Sequence, residues 1–196
     1  MMTIFLSKGG LKGDMNLKEI NQILDAATYI IDSREKDNHV EKYYIENNIT
    51  YKEQKLLVGD YAIEVDGSIV PFIIERKKNL NEICNNILDR SSLDENKHNR
   101  FYRELAKAKD NGIKLNIIIE DLDYYRKLQR HQYTSRIEPY KLEALLNSMS
   151  AKFEVPIIPV AADLVGRKIH YKLRYEARNY LKELNNLQVD NLKTET

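Results

Sequence analysis

Apolar and polar residues alternate along this chain with two different periods, which separate predicted strands from predicted helices. Short apolar runs without helical spacing predict buried strands; they cover residues 29–31, 49–54, 61–65, 69–74, 115–119 and 155–160. The last run contains two prolines, which favour the edge of a sheet. Between the third and fourth runs, Asp66 and Gly67 have the sequence of a hairpin turn.

Apolar positions three or four residues apart predict amphipathic helices between these strands. The helices cover residues 17–26, 39–48, 80–88, 101–109 and 139–153, and a C-terminal helix carries the stripe Ile169, Leu173, Ala177, Tyr180, Leu181 and Leu184. Asn16 with Glu19, and Asn79 with Glu82, have capping-box spacing, and Pro139 suits a first helical turn. Alternating strands and helices predict an α/β protein with a mixed central sheet flanked by helices.

Composition limits the class of protein. The chain has 196 residues, 42% hydrophobic and 31% charged, with a net charge of +1, which fits one soluble domain. A nucleic-acid binder with this charge balance must collect its basic residues into patches. The single cysteine excludes an internal disulfide. No apolar run approaches the roughly 20 residues of a membrane span, so we expect a cytoplasmic protein without membrane contact.

Several acidic residues stand where predicted strands begin or end. Asp32 and Glu35 follow the first strand, Asp60 precedes the third, and Glu75 follows the fourth. Strand ends converge at one edge of an α/β sheet, so these side chains are expected to share a site. Neighbouring carboxylates repel unless a cation neutralises them. Oxygen ligands without histidine or cysteine favour Mg²⁺ or Mn²⁺.

Lys77 lies two residues beyond Glu75, and alternate residues of an extended chain face the same side. Its ammonium is therefore expected beside the metal carboxylate, where it would orient a water or stabilise charge on a reacting phosphate. The alternative is an ordinary solvated strand end, because isolated Glu-x-Lys tripeptides are common. The apolar strand leading into Glu75 and the preceding Asp60 favour a site.

Three separated motifs carry a resemblance to a known family. Residues 32–35 (DSRE), 57–61 (LVGDY) and 75–77 (ERK) resemble the V-D-x-R-E, L-x-V-G-D-Y and E-R-K motifs of the XPF family nuclease domain, in the same order. The resemblance covers residues 29–165. It leaves 1–28 as an N-terminal lead-in and helix, and 166–196 as a C-terminal helix packed on or extending the nuclease domain. It implies a restriction-endonuclease-like fold and divalent-metal-dependent cleavage of DNA near junctions.

The resemblance also implies roles for individual residues. Asp60 and Glu75 would bind the metal, with the backbone carbonyl of Arg76 as a possible third ligand. Lys77 would be the catalytic lysine, and Asp32 an outer metal ligand or an acid that positions water. The residues implied to organise the site, through salt bridges or phosphate contacts, are Arg34, Glu35 and Arg76. For the two arginines, purely structural ion pairing is the alternative.

The chain departs from the family pattern in several places. Asn81 stands where the family has aspartate, Asn99 where it has glycine, and the segment 85–100 is longer than usual. The sequence after Gly166 lacks the tandem helix-hairpin-helix module that many members use to hold DNA. We therefore expect a homodimer or a separate DNA-binding partner, with residues 142–160 and the helix 169–184 as the pairing surface. Alternatively, the apolar stripe of that helix completes the core of a monomer.

Two basic segments are candidate DNA contacts. Residues 124–136 (YYRKLQRHQYTSR) combine four Arg or Lys with three Tyr and no acid, a composition suited to phosphates and exposed bases. The other segment is one face of the helix 101–109 and its N-terminal flank. The candidates are Arg126, Lys127, Arg130 and Tyr133 in the first segment, and Arg100, Arg103 and Lys107 in the second. Alternatively, the segment 124–136 is an ordinary solvated surface. We interpret the basic run 167–178 as a solvated surface as well.

Together these features predict a metal-dependent DNA endonuclease acting on branched, flapped or single-strand/duplex junction DNA. One alternative is a catalytically silent DNA-binding or scaffold subunit with the same fold, although such subunits typically lose the acids that this chain retains. Another is a nuclease for RNA or unbranched duplex, since a metal site contacts phosphate and not base.

Overall fold

The computed structural model describes residues 15–36, 39–88 and 100–194. The predictions made for residues 1–14, for residues 89–99 of the long segment 85–100 and for Asn99 lie outside the described residues. In the order of the chain, the elements are α1 Leu17–Asp25, β1 Thr28–Ile31, α2 His39–Glu46, β2 Tyr51–Glu53, β3 Tyr61–Val65, β4 Ser68–Ile69, β5 Phe72–Lys77, α3 Leu80–Leu88, α4 Arg100–Asp110, β6 Lys114–Ile119, α5 Tyr124–Gln129, α6 Pro139–Phe153, β7 Ile157–Pro159, a 3-10 turn Ala162–Leu164 and α7 Val165–Thr194. In this part of the chain, no helix is both long enough and apolar enough to span a lipid bilayer.

Local sequence signals set several boundaries of these elements. The Asn16 side chain accepts from the backbone N–H of Glu19, and the Glu19 carboxylate accepts from that of Asn16, so the capping box is confirmed. Asp66 and Gly67 have φ values of 50° and 75°, as a tight hairpin turn requires. The predicted turn therefore joins β3 to β4, which pair with each other.

The central sheet is mixed, and its strand order is β2-β1-β3-β5-β6-β7, with β4 paired to β3 alone. β1 and β5 run antiparallel to β3, whereas β6 and β7 run parallel to β5. The edge position predicted for the proline-containing strand is confirmed. The single strand predicted at 69–74 is wrong: Val70 and Pro71 separate β4 from β5, and β5 continues through the charged residues 75–77.

Two hydrophobic clusters cover the two faces of the sheet. Helices α3, α4, α5 and α6 pack on one face, against Ile73, Ile117 and their neighbours. Helices α1, α2 and α7 pack on the other face, against Ile74 and Ile118. Consecutive residues of β5 therefore enter opposite layers, as the twofold period of a strand requires. The same alternation decides where the charged residues of this strand lie.

One edge of the sheet collects the segments that sequence analysis singled out. β1, β5, β6 and β7 all end at this edge, and β3 begins there. Lys77, Ile119 and Pro159 are register partners across β5, β6 and β7, so the three parallel strands end in one row. Backbone hydrogen bonds from Glu120 to Lys77 and from Val160 to Ile119 extend this row by one residue.

Candidate active site

A polar cavity of about 240 Å³ opens at this edge of the sheet. Acidic side chains outnumber basic ones along its wall, six to four, so an empty cavity attracts cations. Its lining residues come from both motif segments and helices: Asp32, Arg34, Glu35, Gly59, Asp60, Glu75, Arg76, Lys77, Glu82, Asn86, Arg100 and Glu104. The structure thus brings together all seven predicted catalytic residues.

Asp60 stands at the start of β3 on a constrained backbone. Its own N–H donates to the carbonyl of Ile74 at 2.9 Å, and its Oδ2 accepts from the backbone N–H of Arg76 at 2.7 Å. Gly59 has φ +70°, and a Cβ there would lie 2.4 Å from a methyl carbon of Ile73. Burial raises the pKa of Asp60 well above its usual value, and the charge of Glu75 raises it further.

Glu75 and Lys77 point to the same face of β5, as their spacing predicted. Lys77 Nζ donates to Glu75 Oε1 at 2.6 Å, and it also lies 3.6 Å from Glu82 Oε1 and 3.5 Å from Asn86 Oδ1. Burial raises the pKa of Glu75, although Lys77 opposes this effect. Burial alone would lower the pKa of Lys77, but Glu75 and Glu82 outweigh it, so the pKa is raised and the ammonium stays charged.

Asp32 is buried and fully engaged by protein donors. Its two oxygens accept from Nε and Nη2 of Arg34 at 2.7 and 2.9 Å and from the N–H of Leu56 at 2.6 Å. Burial would raise the pKa of Asp32, but these hydrogen bonds outweigh it and lower the pKa. Because the Asp32 carboxylate already binds a guanidinium, this geometry does not favour the predicted role as an outer metal ligand or water-positioning acid, which stays a prediction.

Arg76 forms a buried ionic triad on the opposite face of β5. Its Nη2 lies 3.3 Å from Glu35 Oε1, and its Nη1 lies 3.1 Å from Glu120 Oε1. Glu35 belongs to the loop after β1, and Glu120 follows β6, so this guanidinium ties three strand ends together. Since the N–H of Arg76 also holds the Asp60 carboxylate, the triad helps to fix the position of Asp60.

Sequence analysis missed several residues of this cavity, and it also missed Glu120 of the Arg76 triad. Glu120 directly follows a predicted strand, so the reasoning that selected Glu75 was available for it as well. Glu82 was considered only as a capping residue. Glu104 lies four residues after Arg100, and the Arg100 Nε donates to it at 3.1 Å; in the sequence, this helix stands out for its basic residues alone. No sequence signal distinguished Asn86.

The two predicted DNA contacts on α4 beyond Arg100 are Arg103 and Lys107, and both are exposed. Of the three residues predicted on this face, Arg100 alone lines the cavity. The face therefore begins at the cavity and leads away from it along the helix.

The basic tyrosine segment 124–136 differs from the prediction in three places. The ring of Tyr133 is buried in the core and its hydroxyl donates to the carbonyl of Ile137, so it is not presented to a base. Arg126 is paired with Asp123, which precedes the segment. Lys127 is held by both oxygens of Asp121 at 2.8 and 2.9 Å. Arg130 is exposed, and its role as a phosphate contact stays a prediction.

Whether a metal ion fits this cavity depends on the ligands that the described ranges supply. There, no group of three or more His, Cys, Asp and Glu side chains is arranged to hold a metal ion. Glu75 is buried and Asp60 is half-buried, and the negative charge of Glu75 raises the cost of ionising Asp60. Mg²⁺ is usually bound by one or two carboxylates together with substrate oxygens and water. The residues present therefore fit a Mg²⁺ or Mn²⁺ site of this limited kind.

Two solved structures are similar to this chain. XPF from Aeropyrum pernix matches with a TM-score of 0.56 at 16% identity, over 85% of this chain and 73% of that one. XPF from Aeropyrum pernix in complex with DNA matches with a TM-score of 0.53 at 15% identity, over 80% of this chain and 66% of that one. At such low identity the likeness shows the fold, and the predicted restriction-endonuclease-like class is confirmed. No curated protein sequence is significantly similar to the chain.

Fold and cavity together define an XPF-type nuclease domain. Residues 31–163 match the family model of the ERCC4 domain, which is more than half of the chain. The chain belongs to the ERCC4 domain family, and the resemblance found in its sequence is confirmed.

Proposed function

We propose that the chain is a divalent-metal-dependent endonuclease that hydrolyses DNA phosphodiester bonds at branched, flapped or single-strand/duplex junctions. The observation that carries this proposal is a pair of carboxylates, the half-buried Asp60 and the buried Glu75, beside the charged Lys77 in an acid-rich cavity. Family membership supports nuclease chemistry. DNA as the substrate is supported by the similar Aeropyrum pernix XPF, which is known in complex with DNA.

Asp60 and Glu75 would hold Mg²⁺ or Mn²⁺, together with oxygens of the substrate, and the backbone carbonyl of Arg76 is the candidate for a third protein ligand. When bound, the cation would supply Lewis-acid stabilisation of the charge on the scissile phosphate. Each carboxylate already uses one oxygen within the protein, Oδ2 of Asp60 and Oε1 of Glu75. These hydrogen bonds would limit rotation of the two ligands before the cation arrives.

Lys77 would act as a hydrogen-bond donor and a fixed positive charge. A raised pKa keeps its ammonium protonated at neutral pH, so it is unsuited to accept a proton as a general base. Its contact with Glu75 keeps it next to the proposed metal ligand. There it would stabilise negative charge that develops on the phosphate.

Arg34 is the second cation suited to the substrate. Asp32 holds it through two hydrogen bonds from the guanidinium, yet half of its side chain remains exposed. A guanidinium fixed on one side and open on the other can bind a phosphate. We assign Asp32 the role of a positioning residue for Arg34, in place of the metal role expected from the sequence.

A cleavage assay tests this proposal and its alternatives. Labelled duplex, flap, fork and single-stranded DNA, and the matching RNA, are incubated with Mg²⁺, Mn²⁺ or EDTA. We expect cleavage of junction DNA with either metal and none in EDTA. Cleavage in EDTA would refute the metal site. DNA binding without cleavage of any substrate would instead support a catalytically silent DNA-binding or scaffold subunit. Preferential cutting of RNA or of unbranched duplex would support the alternative of a nuclease for those substrates.

Association with a second subunit stays a prediction, but one argument for it is lost. The apolar stripe of α7, which includes Ile169, Leu173 and Ala177, is buried against the sheet of the same chain. It therefore completes the core and offers no pairing surface. A specific DNA interface buries roughly 1,000 Å² or more of protein, which still favours a dimer or a DNA-binding partner. Light scattering at micromolar concentration distinguishes a monomer from a homodimer.

A further inference from the structure

A second cavity, of about 360 Å³, lies between the end of β7 and the first turns of α7. Its wall is mostly apolar and includes Leu122, Pro159 and Leu164. Leu122 is 67% exposed, and Tyr171, which also lines the cavity, is 42% exposed. The charged residues that line it are Arg167 and Lys168. This groove, defined by these six residues, thus combines an exposed apolar surface with positive charge.

The aromatic part of the groove continues along α7 as a short ladder. The ring of Tyr171 is stacked on that of Tyr175, with centroids 6.3 Å apart and planes at 27°. The Arg167 guanidinium lies 5.8 Å from the centroid of the Tyr171 ring on the preceding turn. Sequence analysis had interpreted this basic run as an ordinary solvated face. A half-exposed ring next to a cation has the chemistry that single-stranded nucleic-acid sites use for unpaired bases and phosphates.

The acids next to the groove do not cancel its positive charge. Asp121 and Asp123 flank Leu122 in sequence, but Asp121 is paired with Lys127 and Asp123 with Arg126. Asp163, which precedes Leu164, lines a neighbouring cavity instead, so Arg167 and Lys168 are the charged residues that line the groove. The groove is therefore complementary to an anion, whereas the candidate active site is complementary to a cation.

The groove and the candidate active site share one edge of the sheet. The groove adjoins the ends of β6 and β7, and Lys77, Ile119 and Pro159 form one row of register partners. Neighbouring strands are about 4.8 Å apart, so two strand spacings, roughly 10 Å, separate the end of β5 from the end of β7. α7 lies on the face of the sheet opposite to Glu75 and Lys77, so a strand that runs from the cavity to the groove crosses this edge and spans more than these two spacings.

We infer that the groove is a subsite for an unpaired nucleotide, whose base stacks on Tyr171 beside Leu122 and whose phosphates contact Arg167 and Lys168. The inference rests on the proposed nuclease function and specifies its substrate class. That substrate carries a single-stranded arm that crosses this edge of the sheet from the cleaved bond to the groove.

Binding measurements in EDTA test the subsite without any cleavage. The full chain is titrated with a fork of about 20 base pairs carrying a thymidine arm of about 10 nucleotides, and with the blunt duplex, by fluorescence anisotropy. Tyr171→Ala should weaken fork binding about 5- to 150-fold, the range of one lost base–aromatic stack, and leave duplex binding unchanged. Tyr171→Phe should retain fork binding. Arg167→Gln should reduce the salt dependence of fork binding by about one phosphate contact.

Tyr140→Ala is the matched control. Tyr140 is also an exposed tyrosine near a cation, with Lys141 Nζ 5.7 Å from its ring centroid, but it lies on α6 away from the groove. This variant should bind the fork as the wild type does. Equal weakening by Tyr140→Ala and Tyr171→Ala would overturn the subsite, as would unchanged fork affinity in Tyr171→Ala or equal wild-type affinity for fork and duplex.

Light scattering on the same samples tests whether a second copy of the chain occupies the groove instead of a nucleotide. A wild-type dimer that Tyr171→Ala converts to monomer would assign the groove to a second copy of the chain and overturn the subsite. Failure of the nuclease proposal is distinguishable. A chain that cuts no DNA, but loses its fork preference in Tyr171→Ala, retains the subsite and refutes only the catalytic function.

Discussion

Replacing Glu120 with alanine should destabilise the protein strongly, because it removes one partner of the buried Arg76. The Arg76 and Glu120 side chains are 8% and 3% exposed, and their charged atoms lie 3.1 Å apart. Removing one partner of a buried ion pair costs roughly 3–5 kcal/mol. Arg76 keeps its contact with Glu35 at 3.3 Å, so we expect the lower end, about 3 kcal/mol. For a domain of this size, that corresponds to a fall in Tm of roughly 6–12 °C.

Thermal unfolding of wild type, Glu120→Ala and Glu46→Ala measures this effect. Glu46 is the matched control, since its pair with Lys42 is exposed on α2 with an N–O distance of 3.8 Å, and such surface pairs contribute about 1 kcal/mol or less. A Tm of Glu120→Ala equal to that of Glu46→Ala would refute the view that the Arg76 triad stabilises the strand ends.

Three further predictions concern the cavity and its surroundings. The pKa of Asp60 is raised above the unfolded value of about 3.8, so metal-free protein should lose stability as pH rises from near 4 through the raised pKa. Asp60→Asn should therefore unfold at a higher temperature than wild type in EDTA at pH 8, with a smaller difference at pH 5; an equal difference at both pH values would contradict this. Gly59→Ala should destabilise by at least 1–2 kcal/mol in urea unfolding, because its Cβ would overlap Ile73; wild-type stability would contradict the geometry. Arg130→Ala should weaken DNA binding and lower its salt slope, whereas Lys127→Ala, which loses a salt bridge, should change the slope less; the reverse order would reject Arg130 as the contact.

Sequence patterns predicted those parts of the fold that depend on local physics. The capping box at Asn16, the turn at Asp66 and Gly67, and the edge position of β7 all follow from neighbouring residues, and all are confirmed. The extent of β5 was not predictable in this way. Three consecutive charged residues normally end a buried strand. Here they remain inside because Glu35 and Glu120 from other segments pair with Arg76, and because Glu75 and Lys77 pair with each other.

The candidate site shows the same division. The motifs identified Asp60, Glu75 and Lys77, and the structure brings them to one cavity. Tertiary packing decided the rest: the N–H of Leu56 helps to hold the Asp32 carboxylate against Arg34, and Tyr133 packs in the core instead of facing solvent. Such outcomes depend on which helix covers which strand, and the periodicity of one chain does not contain that information.

Single-turnover cleavage by carboxylate variants tests the central claim most directly. Wild type, Asp60→Asn and Glu75→Gln are compared on one fork with Mg²⁺, and binding to the same DNA is measured in EDTA. Both variants should cut at least about 1,000-fold more slowly, the order expected when several kcal/mol of metal stabilisation are lost, while binding DNA as tightly as wild type or more tightly. Cleavage at the wild-type rate by either variant would contradict the claim that these two carboxylates form the metal site.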